Sequence, residues 1–531
     1  MTSFEDGSRD GVLVIAAGGN IGLYASEVKH EWVVRPAKVK ELEELVLGSS
    51  SGPAHGESGR LVLREGSVKG ASVRVTFESI RPPGINSVHE PEDLDSAQVD
   101  PVLWRQIAER IKEAYSSYEG FVILHGLDTM AYTAAALSFM LENLAGPVVL
   151  TGAQRPLNFG RTDAIQNIIT AITFAASRSL GLTPVIPEVC VYSHDALFRG
   201  NRVMMASSSS YRAFDSPNYP AVANVGEHVE VQHHLIRPAS TVHRLSVKPQ
   251  ADARVAIVDV FPGMDARVLT TLANSHAQNS DRPLRGVLLR TYGMGTAPTS
   301  DDEFLTALRT LVDNGVVVLN VTQARSGRIS HNIDPVSLRL LEQGVVSGID
   351  MTAEAAYAKM VVVLSGEADA GRAADLLQIE HCGEQSQSIF HWHFNADKTV
   401  EEEGAFFAPL RALEAMVNFH QLDENLVTYA QLRLLGVEPA DSEKKVVRTI
   451  EFKATLQDKR ETRQAPLATL AEDTLRWRPD GKRTLNRAYD ITPRKGMVCQ
   501  SGLLLELETS EAIRWSRLAI ALYCKPVGNG G

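Results

Sequence analysis

Two stretches of this 531-residue chain carry polar side chains just beyond apolar runs. Residues 12–17 end at Gly18-Gly19-Asn20, and residues 120–124 end at His125-Gly126-Leu127-Asp128-Thr129. A short continuous apolar run stopping at such a turn reads as a buried parallel strand. Open α/β sheets hold their ligands at the carboxyl ends of these strands. Thr129 in the second turn, Tyr24 shortly after the first, and Ser96, remote from both in sequence, offer hydroxyls for attack on a carbonyl carbon. Asp128, in the second turn, offers a carboxylate that can take a proton. Such a nucleophile works only with a base beside it and donors for the developing oxyanion.

Other candidates point less clearly to chemistry. His391 and His393 flank Trp392 and fall on one strand face, a spacing some metal sites use, but no Cys or carboxylate partner is evident. A surface strand pair is the simpler reading. Cys382, in the run HCGEQSQS, has no identifiable partner and reads as a buried thiol. His125 reads as a structural residue at a strand end. Neither a complete G-x-x-x-x-G-K-[ST] nor a G-x-G-x-x-G occurs. No cofactor and no metal are expected.

The elements that must position these residues alternate strand and helix. Residues 61–80 alternate as a hairpin does. Residues 102–118 have helical period, 129–144 and 162–177 read as helices, and 148–151 and 189–192 as strands. This series implies a parallel sheet with right-handed crossovers, in an N-terminal α/β domain over residues 1–220. Residues 221–252 read as a linker. Alternation resumes over 253–365 as a second, smaller α/β domain. Residues 366–445 read as a helical, connecting extension, with the helical stretch reaching about residue 434. Residues 446–531 read as a β-rich domain, a small sandwich.

Composition narrows the class. Hydrophobic residues make up 44% and charged residues 22%, as in a globular protein with a large core. A net charge of −11 argues against binding nucleic acid or an anionic membrane. The four cysteines (190, 382, 499 and 524) form no C-x-x-C pair and read as reduced thiols. The N-terminal MTSFEDGSRDG has neither a signal peptide's apolar run nor a transit peptide's arginines. No stretch approaches the roughly 18 apolar residues of a membrane span. The expected location is the cytoplasm.

Several stretches, in order over residues 10–365, resemble the type I cytoplasmic bacterial L-asparaginases. They are AAGGNIG (16–22), GFVILHGLDTMAYT (120–133), TGAQRP (151–156), RGNR (199–202), FDSPN (214–218), RTYGMG (290–295) and GVVSGIDMTAEA (344–355). The resemblance implies a larger and a smaller α/β domain with the site between them, and a dimer or tetramer. It also implies a set of catalytic groups that this chain has lost. Asn20 stands where the family has the threonine of TGGTI, and Leu127 where it has the second threonine of HGTDTM. Met205 stands where the lysine follows RGNR. Asp128 is kept, as are Asp95 and Ser96, a pair that would hold the substrate's α-amino and α-carboxylate ends. Tyr24 is a candidate for the family's mobile tyrosine. An amide is no nucleophile, leucine has no heteroatom and a thioether has no titratable proton. The expected function is therefore a pseudoenzyme acting by self-assembly or through a protein partner of its C-terminal domain. An amidohydrolase with a non-standard nucleophile and an amino-acid sensor are the alternatives.

Overall fold

A computed structural model describes residues 9–386 except 29–30, 38, 51–59, 64–70, 81–95, 181–184, 238–244, 279–282 and 330–334, and beyond 386 the backbone of a set of strands. The chain divides into two compact units, one of residues 1–331 with 336–385, the other of 332–335 with 386–531.

The first unit begins with β1 (Val12–Ala16), followed by the antiparallel pair β2 (Leu23–Val28) and β3 (Glu31–Pro36) and by α1 (Val39–Ser50). The hairpin β4 (Arg60–Leu63) and β5 (Ala71–Ser79) comes next, then α2 (Pro101–Ala114), β6 (Gly120–Leu124) and α3 (Leu127–Met140). The chain continues through β7 (Leu141–Glu142), β8 (Val148–Thr151), α4 (Ala164–Ala175), β9 (Val189–Ser193), β10 (Ala196–Arg199), β11 (Met204–Met205) and β12 (Phe214–Asp215). β13 (Ala223–Val225), β14 (Val229–Val231) and β15 (Ser246–Val247) complete this lobe. Nine strands form one sheet in the order β14-β13-β10-β9-β8-β6-β1-β5-β4, parallel through β9-β8-β6-β1-β5. The parallel centre explains the unbroken apolar runs, since helices cover both faces: Leu13, Ile15 and Ile123 face one core, Val12, Val14 and Val122 the other. Each such side chain, fully buried, contributes about 1.5–3 kcal/mol.

The second lobe of this unit holds β16 (Arg254–Asp259), α5 (Arg267–Gln278), β17 (Leu284–Thr291), α6 (Asp302–Asp313), β18 (Val317–Thr322), α7 (Pro335–Glu342), β19 (Val346–Ser347), α8 (Ala353–Gly366) and α9 (Ala370–Gln378). Its sheet runs β16-β17-β18-β19, all parallel. α8 packs against α3, so apolar faces of the two lobes merge.

The other unit contains β20 (Ser388–Asn395), β21 (Phe406–Pro409), β22 (Asn425–Pro439), β23 (Arg448–Asp458), β24 (Ala468–Trp477), β25 (Leu485–Asp490), β26 (Leu503–Thr509), β27 (Ile513–Arg514) and β28 (Arg517–Pro526). One antiparallel sheet has the order β20-β28-β22-β25, with β27 on β22; the other runs β21-β26-β23-β24.

Two expectations need correction. Residues 221–252 are not simply a linker, because β13 and β14 extend the nine-stranded sheet and β15 pairs with β7. Residues 425–439, expected within a helical extension, form β22, whose ladder to β28 overrides the helical period. No described helix is long and apolar enough to cross a membrane.

Candidate functional site

The two turns singled out by sequence meet at the carboxyl ends of β1 and β6. Gly19 has φ +84, and a Cβ there would lie 2.2 Å from the Cα of Gly126. A Cβ on Gly126 would lie 2.4 Å from the side chain of Ser96. Only glycines permit this three-way approach. Asn20 opens a short 3-10 turn at the rim and is exposed; its Nδ2 donates to the carbonyl of Gln154 across 3.4 Å, a long bond. Gln154, just beyond β8, is held in turn. Its amide donates to the carboxylate of Asp163 at 3.1 Å and its Nε2 to the carbonyl of Ser210 at 2.9 Å.

Leu127 is the first residue of α3, and Gly126 supplies no side-chain cap. Leu127 is 9% exposed and turned against Gly152, where a Cβ would meet its Cδ2 at 2.6 Å. Met205, on β11 against α3, is partly buried in the same apolar cluster as Leu127. Asp128, one residue along the helix, is exposed. Thr129 Oγ1 donates to the carbonyl of Ser96 at 2.7 Å. Ser96 begins a 3-10 turn and is 4% exposed. Tyr24 lies on β2 opposite Arg35, and only its backbone is described. Asp95 lies outside the described residues. The geometry thus brings Asn20, Ser96, Leu127 and Thr129 to one strand-end cluster and puts Met205 beside α3.

Behind this cluster runs a buried polar chain. His125 is fully buried, with Nδ1 at 2.7 Å from the carbonyl of Gly126 and Nε2 at 3.0 Å from Thr133 Oγ1. Trp104 Nε1 donates to that same hydroxyl at 3.1 Å. A carbonyl only accepts, so the imidazole proton sits on Nδ1. Nε2 then accepts from Thr133, whose oxygen accepts from Trp104. Every group is satisfied with a neutral ring. Burial pushes the His125 pKa down to about 4, only partly opposed by the bond to Gly126. An imidazole so committed holds the strand end in place and is no base for the turn beyond it.

A second buried polar cluster was not singled out by sequence. Lys359, fully buried on α8, donates to the carbonyls of Leu377 (2.8 Å) and Ile379 (2.5 Å) and to Glu384 (2.6 Å). Its three protons have three acceptors. Burial opposes ionisation of Glu384, but Lys359 and His381 outweigh it and hold the carboxyl down at about 2. The signal was a lone lysine in the otherwise apolar run KMVVVL (359–364). Among the described residues no group of three metal-ligating side chains exists. His391 and His393 lie on β20, with their side chains outside the described residues. Cys382 is a free thiol, its pKa raised well above the usual value by burial and by Glu384.

Comparison with known proteins bears on this geometry. The N-terminal asparaginase family matches residues 11–237, and the glutaminase/asparaginase C-terminal domain family matches 254–377. L-asparaginase 1 of Escherichia coli K12 is 38% identical over 284 residues, covering 53% of this chain and 80% of that protein. The mouse 60 kDa lysophospholipase is 38% identical over 271 residues, 51% of this chain. The chain spans only 45% of that relative's length. The crystal structure of L-asparaginase I from Vibrio cholerae superposes with a TM-score of 0.57 at 30% identity, covering 71% of this chain and 100% of that one. The parallel sheet ending in paired glycine turns, the smaller second lobe and these matches agree, and the chain belongs to the asparaginase family.

Proposed function

We propose that this family member does not hydrolyse amides and works instead by self-assembly or by binding a protein partner through residues beyond 385, in the cytoplasm. The observation that carries this reading is Leu127. It occupies the start of α3, where the resemblance puts a catalytic threonine, and its side chain is spent on packing against Gly152. Asn20 and Met205 stand at the other two replaced positions and supply no nucleophile and no titratable proton. Losing one member of a cooperating set costs about 10⁴ to 10⁶ in rate, and further losses add little. The resemblance to the family implies assembly into a dimer or tetramer.

The alternative nucleophiles are poorly placed. Thr129 gives its proton to the Ser96 carbonyl, and Ser96 is buried beside Gly126. An amino-acid sensor gripping ligand through Asp95, Ser96 and Asp128 is the second reading, favoured by the exposure of Asp128 beside the cluster. The test is ammonia release from L-asparagine and L-glutamine by the full chain, beside a variant carrying Asn20→Thr, Leu127→Thr and Met205→Lys. The expected result is silence from the native protein. Turnover at ordinary enzyme rates would end the proposal. A rise in melting temperature with millimolar L-asparagine or L-aspartate would move the reading to the sensor.

A further inference from the structure

Residues 379–385 lie just past the end of the matched C-terminal family and just before Ser386, where the second compact unit begins. They form no regular element, yet they are bound on two sides. On one side, Glu384 and the Ile379 carbonyl are tied to Lys359, and Gln385 Nε2 donates to the Gln378 carbonyl at 2.9 Å. The Glu384 carboxylate also accepts the amides of His381 (3.0 Å) and Cys382 (2.9 Å), closing the segment on itself. On the other side, the segment's carbonyls are read by the first lobe. Asn201 Nδ2 donates to Cys382 O at 2.9 Å, Arg202 Nε to Gly383 O at 2.6 Å and Arg237 to His381 O at 3.2 Å. Gly383 has φ +85 and sits so close to Arg199 that a Cβ would lie 2.5 Å from its guanidinium. Arg202 completes the tie through a buried pair with Asp350 at 3.0 Å.

The loop held in this way, 199–203, leads straight into Met204 and Met205 on β11. We infer that residues 379–385 are a strap for the first unit: seated against Asn201 and Arg202, it fixes the loop that positions Met205, and without it that loop is freed. The polar ties on the loop side are directional hydrogen bonds to backbone carbonyls. Gly383 lies at their centre, its carbonyl held by Arg202 and its Cα against the Arg199 guanidinium. The inference stands independently of whether the cleft hydrolyses amides.

The experiment is amide hydrogen–deuterium exchange on the full chain, comparing wild type with Gly383→Ala, which blocks seating against Arg199 and leaves Lys359 and Glu384 in place. Glu384→Gln, which weakens the anchor while keeping an acceptor for the two amides, is the second variant should the first fail to fold. The expected result is exchange at least tenfold faster in 379–385 and in 199–205, with 120–124 at the centre of the sheet unchanged. Faster exchange in 379–385 with 199–205 unaltered would overturn the inference, since the strap would then be an isolated tail. No change in 379–385 in either variant would overturn it too, because the contacts assigned to seating would not be holding the strap.

Discussion

Protonating His125 should destabilise the first unit by an amount that the structure sets. The neutral ring donates from Nδ1 to Gly126 and accepts from Thr133 at Nε2, whereas a charged ring would sit buried with only a carbonyl and a reversed Thr133 hydroxyl to receive its protons. The folded pKa of about 4 lies below the ordinary 6.5. A depressed histidine pKa means that the unfolded chain takes up a proton first as pH falls. The stabilising effect is therefore complete above pH 6.5 and is lost progressively down to pH 4. At about 1.4 kcal/mol per pH unit, the loss over that window is about 3 kcal/mol. The assay is urea unfolding of the full chain at a series of pH values, beside His125→Gln, which cannot titrate. The variant is less stable at pH 7 by about 1–3 kcal/mol because it cannot satisfy both partners. Its stability should fall less steeply between pH 6.5 and 4, by about 3 kcal/mol in total. Parallel pH profiles for the two proteins would refute the reasoning, as would a ¹⁵N-imidazole spectrum with the proton on Nε2.

Two further outcomes follow from the buried polar groups. Thr133→Val keeps the shape of the side chain but leaves Trp104 Nε1 and His125 Nε2 without their partner. It should cost about 2–4 kcal/mol in denaturant unfolding, and a change below about 0.5 kcal/mol would show that the relay is not formed. Lys359→Met strands the Glu384 carboxylate in the core and should cost about 3–5 kcal/mol. Adding Glu384→Gln removes that charge yet still accepts the His381 and Cys382 amides. The double variant should therefore unfold at higher denaturant than Lys359→Met alone, and the reverse order would mean that the pair is not buried.

What the sequence made legible was governed by burial on two faces. VLVIA and GFVIL read as central parallel strands because each is a short apolar run ending in a glycine turn, as a strand covered on both faces is. Boundaries were less legible. α3 was expected over residues 129–144 but runs Leu127–Met140, since the chain turns at Gly126 and Leu141 is taken by pairing with Val247, 106 positions on. Such long-range pairing leaves no local mark, and β22, laddered to β28, was misread for the same reason; β13 and β14 pair locally but are only three residues each, too short to show a period. At the site, the positions that the resemblance singles out were identifiable from motif position, but what Leu127 packs against and what Thr129 donates to lie in the fold. The strap was the least legible feature. Its polar atoms are mostly backbone carbonyls, which every sequence possesses, and only the lone Lys359 in an apolar helix hinted that a buried acid had to approach from elsewhere. A charge at such a position demands a partner at short range. In this chain that demand extends the first folded unit through residue 385, beyond the end of the matched family at 377.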